Sequence, residues 1–169
     1  MREGIGGIQL FLIVVVMVLI FAGVMSLTLN QANAFAVKDQ IVSIIETAGK
    51  FDTSAQCLYG NCSGQETLQN IVDALESNSY RQQGSCEDIS FNSDTNDVIV
   101  DMVGYQRNGD KTLSGKKSSF CIAKIDSNKS EDTLRGYYYR VYVFYQLDIP
   151  ILHAIFNFRA IGETKLLYS

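Results

Sequence analysis

Four cysteines, Cys57, Cys62, Cys86 and Cys121, are the residues of this 169-residue chain best suited to covalent chemistry. All four follow a long apolar N-terminal run, where an exported domain would carry them. An even number in a small exported domain reads as two disulfides, with unpaired buried thiols as the alternative. No CxxC spacing occurs, which speaks against a zinc site or a thioredoxin-like redox pair. Three connectivities are open. The favoured one joins Cys57 to Cys62 across a small loop, and Cys86 to Cys121 as a staple between the beginning of a sheet and its centre.

Other chemistry is sparse. The one histidine, His153, sits in an apolar stretch with no acidic neighbour in sequence, so a Ser-His-Asp arrangement would have to run through it alone. The stretch "GDKTLSGKKS" has five residues between Gly109 and Gly115 and places Lys117 where a phosphate loop needs Ser or Thr, so it reads as a hairpin turn. "DTNDV", from Asp94, begins like a calcium loop but puts Val98 at the third ligand position. The expectation is therefore no enzyme, no cofactor and no metal. Formal net charge is -4, so no basic field exists to neutralise a phosphate backbone, and nucleic acid is not an expected partner.

What must position the cysteines begins with "GIGGIQLFLIVVVMVLIFAGVMSLTLNQANAFAVKDQIVSIIETAGKF", from Gly4. Between Ile8 and Leu29 only Gln9, Ser26 and Thr28 are polar and none is charged. About 20 such residues as a helix cross the hydrocarbon of a bilayer, longer than the roughly 7 to 15 of a secretory signal. Retention as an anchor is expected, although Ala32 and Ala34 would permit removal by cleavage before Phe35. Helical periodicity continues past the span: Leu29, Ala32, Ala36, Val37, Ile41, Ile44, Ile45 and Ala48 recur at steps of three and four, with Lys38, Asp39, Gln40 and Glu46 off the stripe. Gly49 is a natural stop. One helix from Ile5 to Ala48 would be about 65 Å long, with its second half outside the membrane. Gly23, beside Ala22 and Ser26, would let another helix approach closely in mid-span.

A long helix, apolar first and amphipathic second, followed by a small cysteine-bearing domain, resembles the type IV pilins and pseudopilins, and the Tad-type pilin-like proteins most. The resemblance implies cleavage after Gly4 to leave Ile5 as the N-terminus. It also implies a Glu at the fifth residue, where this chain has Gln9, a departure that bears on self-assembly. It further implies association with copies of itself or with other pilin-like subunits.

The expected architecture is α+β: residues 1–49 as transmembrane and stem helix, and residues 50–169 as one extracytoplasmic domain. The loop holding Cys57 and Cys62 leads to Ser63 and Glu66, a capping-box pair, and to a short amphipathic helix from about Gly64 to Asn78. Five β-rich runs follow, "CEDISFN", "DVIVDMVGYQ", "SSFCIAKID", "GYYYRVYVFYQLD" and "FNFRAIGETKLLY", separated by Gly, Asn, Asp and Ser. Short connections predict an antiparallel sheet of four or five strands packed on the stem. Pro150 and "ILHAIF" form an apolar connection before the last run, read as core filling in preference to a contact with lipid or a neighbour. The expected setting is a single-pass protein of the cell membrane with an outside domain, a structural subunit of a bacterial surface filament or secretion apparatus, the alternative being a single-span or secreted extracellular binding module that forms no filament.

Overall fold

The structure, a computed structural model, describes residues 2–58, 61–63, 66–87, 89, 97–113, 115–127, 136–146 and 157–168. The helix α1 runs unbroken from Arg2 to Ala48. No proline interrupts it, and its first half is Leu-, Ile- and Val-rich and apolar on every side. It ends at Gly49, whose φ of 71° is the left-handed conformation that costs glycine least. The Gly49 N–H donates to the Ile45 carbonyl at 3.0 Å and closes the last turn.

After α1 come a small hairpin, β1 (Gln56–Leu58) and β2 (Asn61–Ser63), and a second helix, α2 (Glu66–Ser77). The hairpin occupies a stretch expected to be loop. In α2 the residues Leu68, Ile71, Val72 and Leu75 are buried, so the helical spacing read from sequence is the face that packs. The sheet follows: β3 (Asp97–Tyr105), β4 (Phe120–Ser127), β5 (Gly136–Gln146), β6 (Asn157–Glu163) and β7 (Leu167–Tyr168). Its order is β3-β4-β5-β6, every pairing is antiparallel, and β7 pairs with β5. The architecture is thus α+β, with a long apolar N-terminal helix, an antiparallel sheet and one short helix.

Of the run "CEDISFN", expected as a strand, Cys86 and Glu87 form a bend and a turn and Ile89 is not in a strand, while the rest of the run lies outside the described residues. Ile89 packs in a second buried cluster with Cys121, Ala123, Ile125, Tyr138, Tyr142 and Phe144. β6 and β7 behave as one interrupted strand beside β5. At the break, Tyr139 donates its N–H to the Thr164 hydroxyl at 3.0 Å and accepts the Thr164 N–H at 2.9 Å. The side chain thereby replaces a lost ladder bond and keeps the buried backbone satisfied.

The main core lies between the sheet and the second half of α1. Ala34, Val37, Ile41 and Ile45, one helical line, are fully buried with Tyr139, Val141, Val143 and Ala160 of the sheet and with Leu68, Ile71 and Leu75 of α2. Burying each of the larger side chains contributes about 1.5–3 kcal/mol. The expected stripe is corrected in detail: Ile44 is half-buried, and Leu29, Ala32, Ala36 and Ala48 face outward. The fully buried line is narrower than the apolar pattern, with Lys38, Val42 and Ile44 half-buried beside it. Gly162 makes that contact possible, since a Cβ there would stand 2.9 Å from both Lys38 Cδ and Val42 Cγ2.

Candidate functional site

The residues singled out from sequence fall into two groups: the apolar half of α1 and the cysteines. Gly4 and Ile5 lie in the first turns of α1, with side chains outside the described residues. Gln9 is exposed and Gly23 is half-buried. They stand about 21 Å apart along the helix, four turns on, and so near one side of it. Gly23 also falls on the line that continues through Ala34 to Ile41, the side that carries the domain.

Around them the surface is apolar on every side. Leu10, Phe11, Leu19 and Phe21 are each more than 60% exposed, and the most apolar stretch of the helix contains no buried residue. This helix is long and apolar enough to cross a membrane once. Among the described residues nothing buries it, and only Gly23, Ser26 and Leu27 near its end are half-buried, whereas isolated exposed apolar side chains on a monomer need no cover. The transition comes at Asn30, Gln31 and Asn33, the first cluster of amides, followed by Ala34, the first buried residue.

Beyond the transition, polar side chains fix the domain to the stem. Lys165 donates its N–H to Glu46 Oε1 at 2.8 Å, and Asn78 Nδ2 donates to Gln40 Oε1 at 2.7 Å. Lys38 lies with its stem against Gly162 and its ammonium 2.7 Å from Asp39. After Gly49 the chain turns back, and Phe51 is clamped to the sheet twice: its N–H donates to the Tyr139 hydroxyl at 3.0 Å, and that hydroxyl donates to the Phe51 carbonyl at 2.8 Å. Tyr80 donates to the carbonyl of Phe144, and Tyr105 to that of Thr53 at 3.1 Å. Burial pushes the Tyr80 and Tyr105 hydroxyls well above the ordinary tyrosine range, which keeps both protonated as donors.

Of the cysteines, Cys86 and Cys121 form a disulfide, with Cα atoms 5.9 Å apart. Cys121 is the second residue of β4, so the bridge pins the chain that crosses the sheet to its second strand. Cys57 is disulfide-bonded and stands opposite Cys62 in the β1–β2 register. The expected Cys57–Cys62 bond turns on the Cys62 side chain, outside the described residues, as are His153, Pro150 and the loop from Asp94 to Asn96. Among the described residues no group of three His, Cys, Asp or Glu is placed to hold a metal.

Concavities are shallow. One of about 330 Å³ lies between the helices, lined by Ser43, Ile44, Thr47, Ala48, Glu66, Thr67 and Asn70. Sequence reasoning missed the clamps at Tyr139, the Arg140–Glu163 ion pair at 2.7 Å and the stacked Tyr145–Phe158 rings at 5.3 Å. Each depends on strand register, which hydrophobic pattern alone does not set across long connections. No protein-family model, curated protein or solved structure matches the chain.

Proposed function

We propose that the chain is a membrane-anchored, pilin-like structural subunit of a bacterial surface filament or secretion apparatus. Its apolar half-helix crosses the cell membrane once and its C-terminal domain stands outside. The observation that carries this reading is the division of one unbroken helix: an uncovered apolar half, and a second half bound into the core of the domain. Such a stem has two environments to satisfy, and lipid before assembly and other stems after it would fill the same role for the first half. Association would be by packing, with Gly23, Ala22 and Ser26 allowing backbones to approach. Cysteines that stay paired fit an oxidising outside location. No catalytic step is proposed.

The test is intact mass with N-terminal sequencing on the protein from its native membrane, without reductant. A chain starting at Ile5 and oxidised by four hydrogens supports pilin-like processing with two disulfides. A chain starting at Phe35 sinks the reading, because the stem would be gone.

A second reading draws on Gln9. A carboxylate in that place would meet a neighbour's N-terminal amine in the resembling family, and an amide offers no such ion pair. A single-span binding module that forms no filament fits this residue better. Retention of Met1, with no filaments in micrographs of the native surface, would favour it.

A further inference from the structure

We propose that the outer end of the β5–β6 pair, marked by Tyr145, Phe158 and Arg159, is a second membrane contact that seats in the phospholipid headgroup layer beside the stem; this rests on the membrane-anchored reading above. The argument is one of height along α1. Gly162 lies against Lys38 and Val42, and Lys165 is bonded to Glu46, so β6 and α1 run side by side in the same direction. Going back along β6 from Gly162 to Phe158 covers about 13 Å of strand, the rise of about nine helical residues. Phe158, and Tyr145 opposite it in the register, therefore stand beside α1 at about residue 31.

Burial on α1 agrees. Ser26, Leu27 and Asn30, on the domain side of the helix, are half-buried, while Leu29 and Phe21 are exposed. The cover given by the domain thus reaches below Ala34. A span from Ile8 fills about 30 Å of hydrocarbon by about Thr28, and the headgroup layer adds about 5–7 Å more. That places residues 29–33 in the headgroups, at the height of the aromatic pair.

The side chains there are of the kind this layer takes. Tyr145 and Phe158 stack at 5.3 Å and are both half-buried. Phe35, 40% exposed, has the Lys38 ammonium 5.2 Å from its ring centre. Arg159, the next residue of β6, is exposed with its guanidinium 5.9 Å from the Tyr142 ring. Aromatic rings with cations just above them match the boundary between acyl chains and phosphates.

The chain has no tryptophan, so one introduced indole reports one depth. The full chain would be reconstituted in phosphatidylcholine vesicles as Phe11→Trp or Phe158→Trp, using lipids brominated either near the headgroup or deep in the acyl chains. The expected result is strongest quenching of Phe11→Trp by deep bromines, and blue-shifted emission from Phe158→Trp quenched most by the shallow ones. Quenching of Phe11→Trp alone overturns this contact and leaves the anchor standing. No quenching of either overturns both. Blue-shifted Phe158→Trp emission that is insensitive to bromine and depends on protein concentration assigns the surface to a second copy, which also overturns it. If Phe158→Trp fails to fold, Arg159→Trp, at an exposed position, reads the same height.

Discussion

The two halves of α1 have nearly the same composition rule and opposite surroundings. Residues 8–22 and the line through Ala34, Val37, Ile41 and Ile45 are both apolar, yet the first is exposed throughout and the second fully buried. The difference lies in what stands opposite: the buried line meets β5, β6 and α2, with Gly162 removing a side chain where the backbones converge. A single helix can therefore be exposed and apolar at one end and a core element at the other. Apolar sequence alone does not tell which, and the polar cluster Asn30–Asn33 is the marker that does.

The sharpest way to break this comparison is one charge in each half. Ile41→Asp buries an uncompensated carboxylate under the sheet and is expected to cost more than about 4 kcal/mol. Loss of the cooperative thermal transition, followed by circular dichroism in mild detergent, would register it. Leu19→Asp, on the uncovered half, is expected to leave that transition in place while weakening membrane retention by about 3 kcal/mol at mid-span. Fractionation and carbonate extraction would read the loss. A Leu19→Asp chain that unfolds its domain would refute the division.

Next in size is the bridge. Replacing Cys86 and Cys121 together by Ala should lower stability by about 2–4 kcal/mol, visible as a shift in denaturant midpoint with little change in slope. Gly162→Ala should cost about 1–3 kcal/mol by overpacking the Lys38–Val42 contact. Adding Val42→Ala should return part of it, so the double-mutant cycle shows a non-zero coupling. The smallest effect is on pH. Hydrogen bonds from the Ser54 hydroxyl and N–H hold the Asp52 carboxyl below its ordinary value. A depressed carboxyl stabilises the fold when ionised, so its contribution is present at neutral pH and fades as acid takes the solution through and below the ordinary Asp range. In Asp52→Asn this slight acid sensitivity of the melting temperature should flatten.

Much of this was legible beforehand, for reasons of period. The 3.6-residue pattern located α2 to within two residues at its start and one at its end, and Gly49 marked the end of α1. Alternation and turn residues located β3 to β6. Reading failed where tertiary contact decides. "CEDISFN" has strand composition, but its first residues are held over the sheet, with Cys86 bonded to Cys121 on a strand whose two neighbours are already β3 and β5. The stem stripe was read too wide because Ala32, Ala36 and Ala48 fit a helix equally well inside or out. The aromatic pair at Tyr145 and Phe158 was invisible because it joins residues brought together only by the β5–β6 register.

The parallel course of α1 and β6 has a mechanical meaning. A load drawn along the exposed half of α1 reaches the domain as sliding between helix and sheet, not as peeling from one end. Ile41, Ile45, the Gly162 seat and the Glu46–Lys165 bond then share it at once. The domain is thus hung on its helix in shear, the geometry in which many modest contacts resist together.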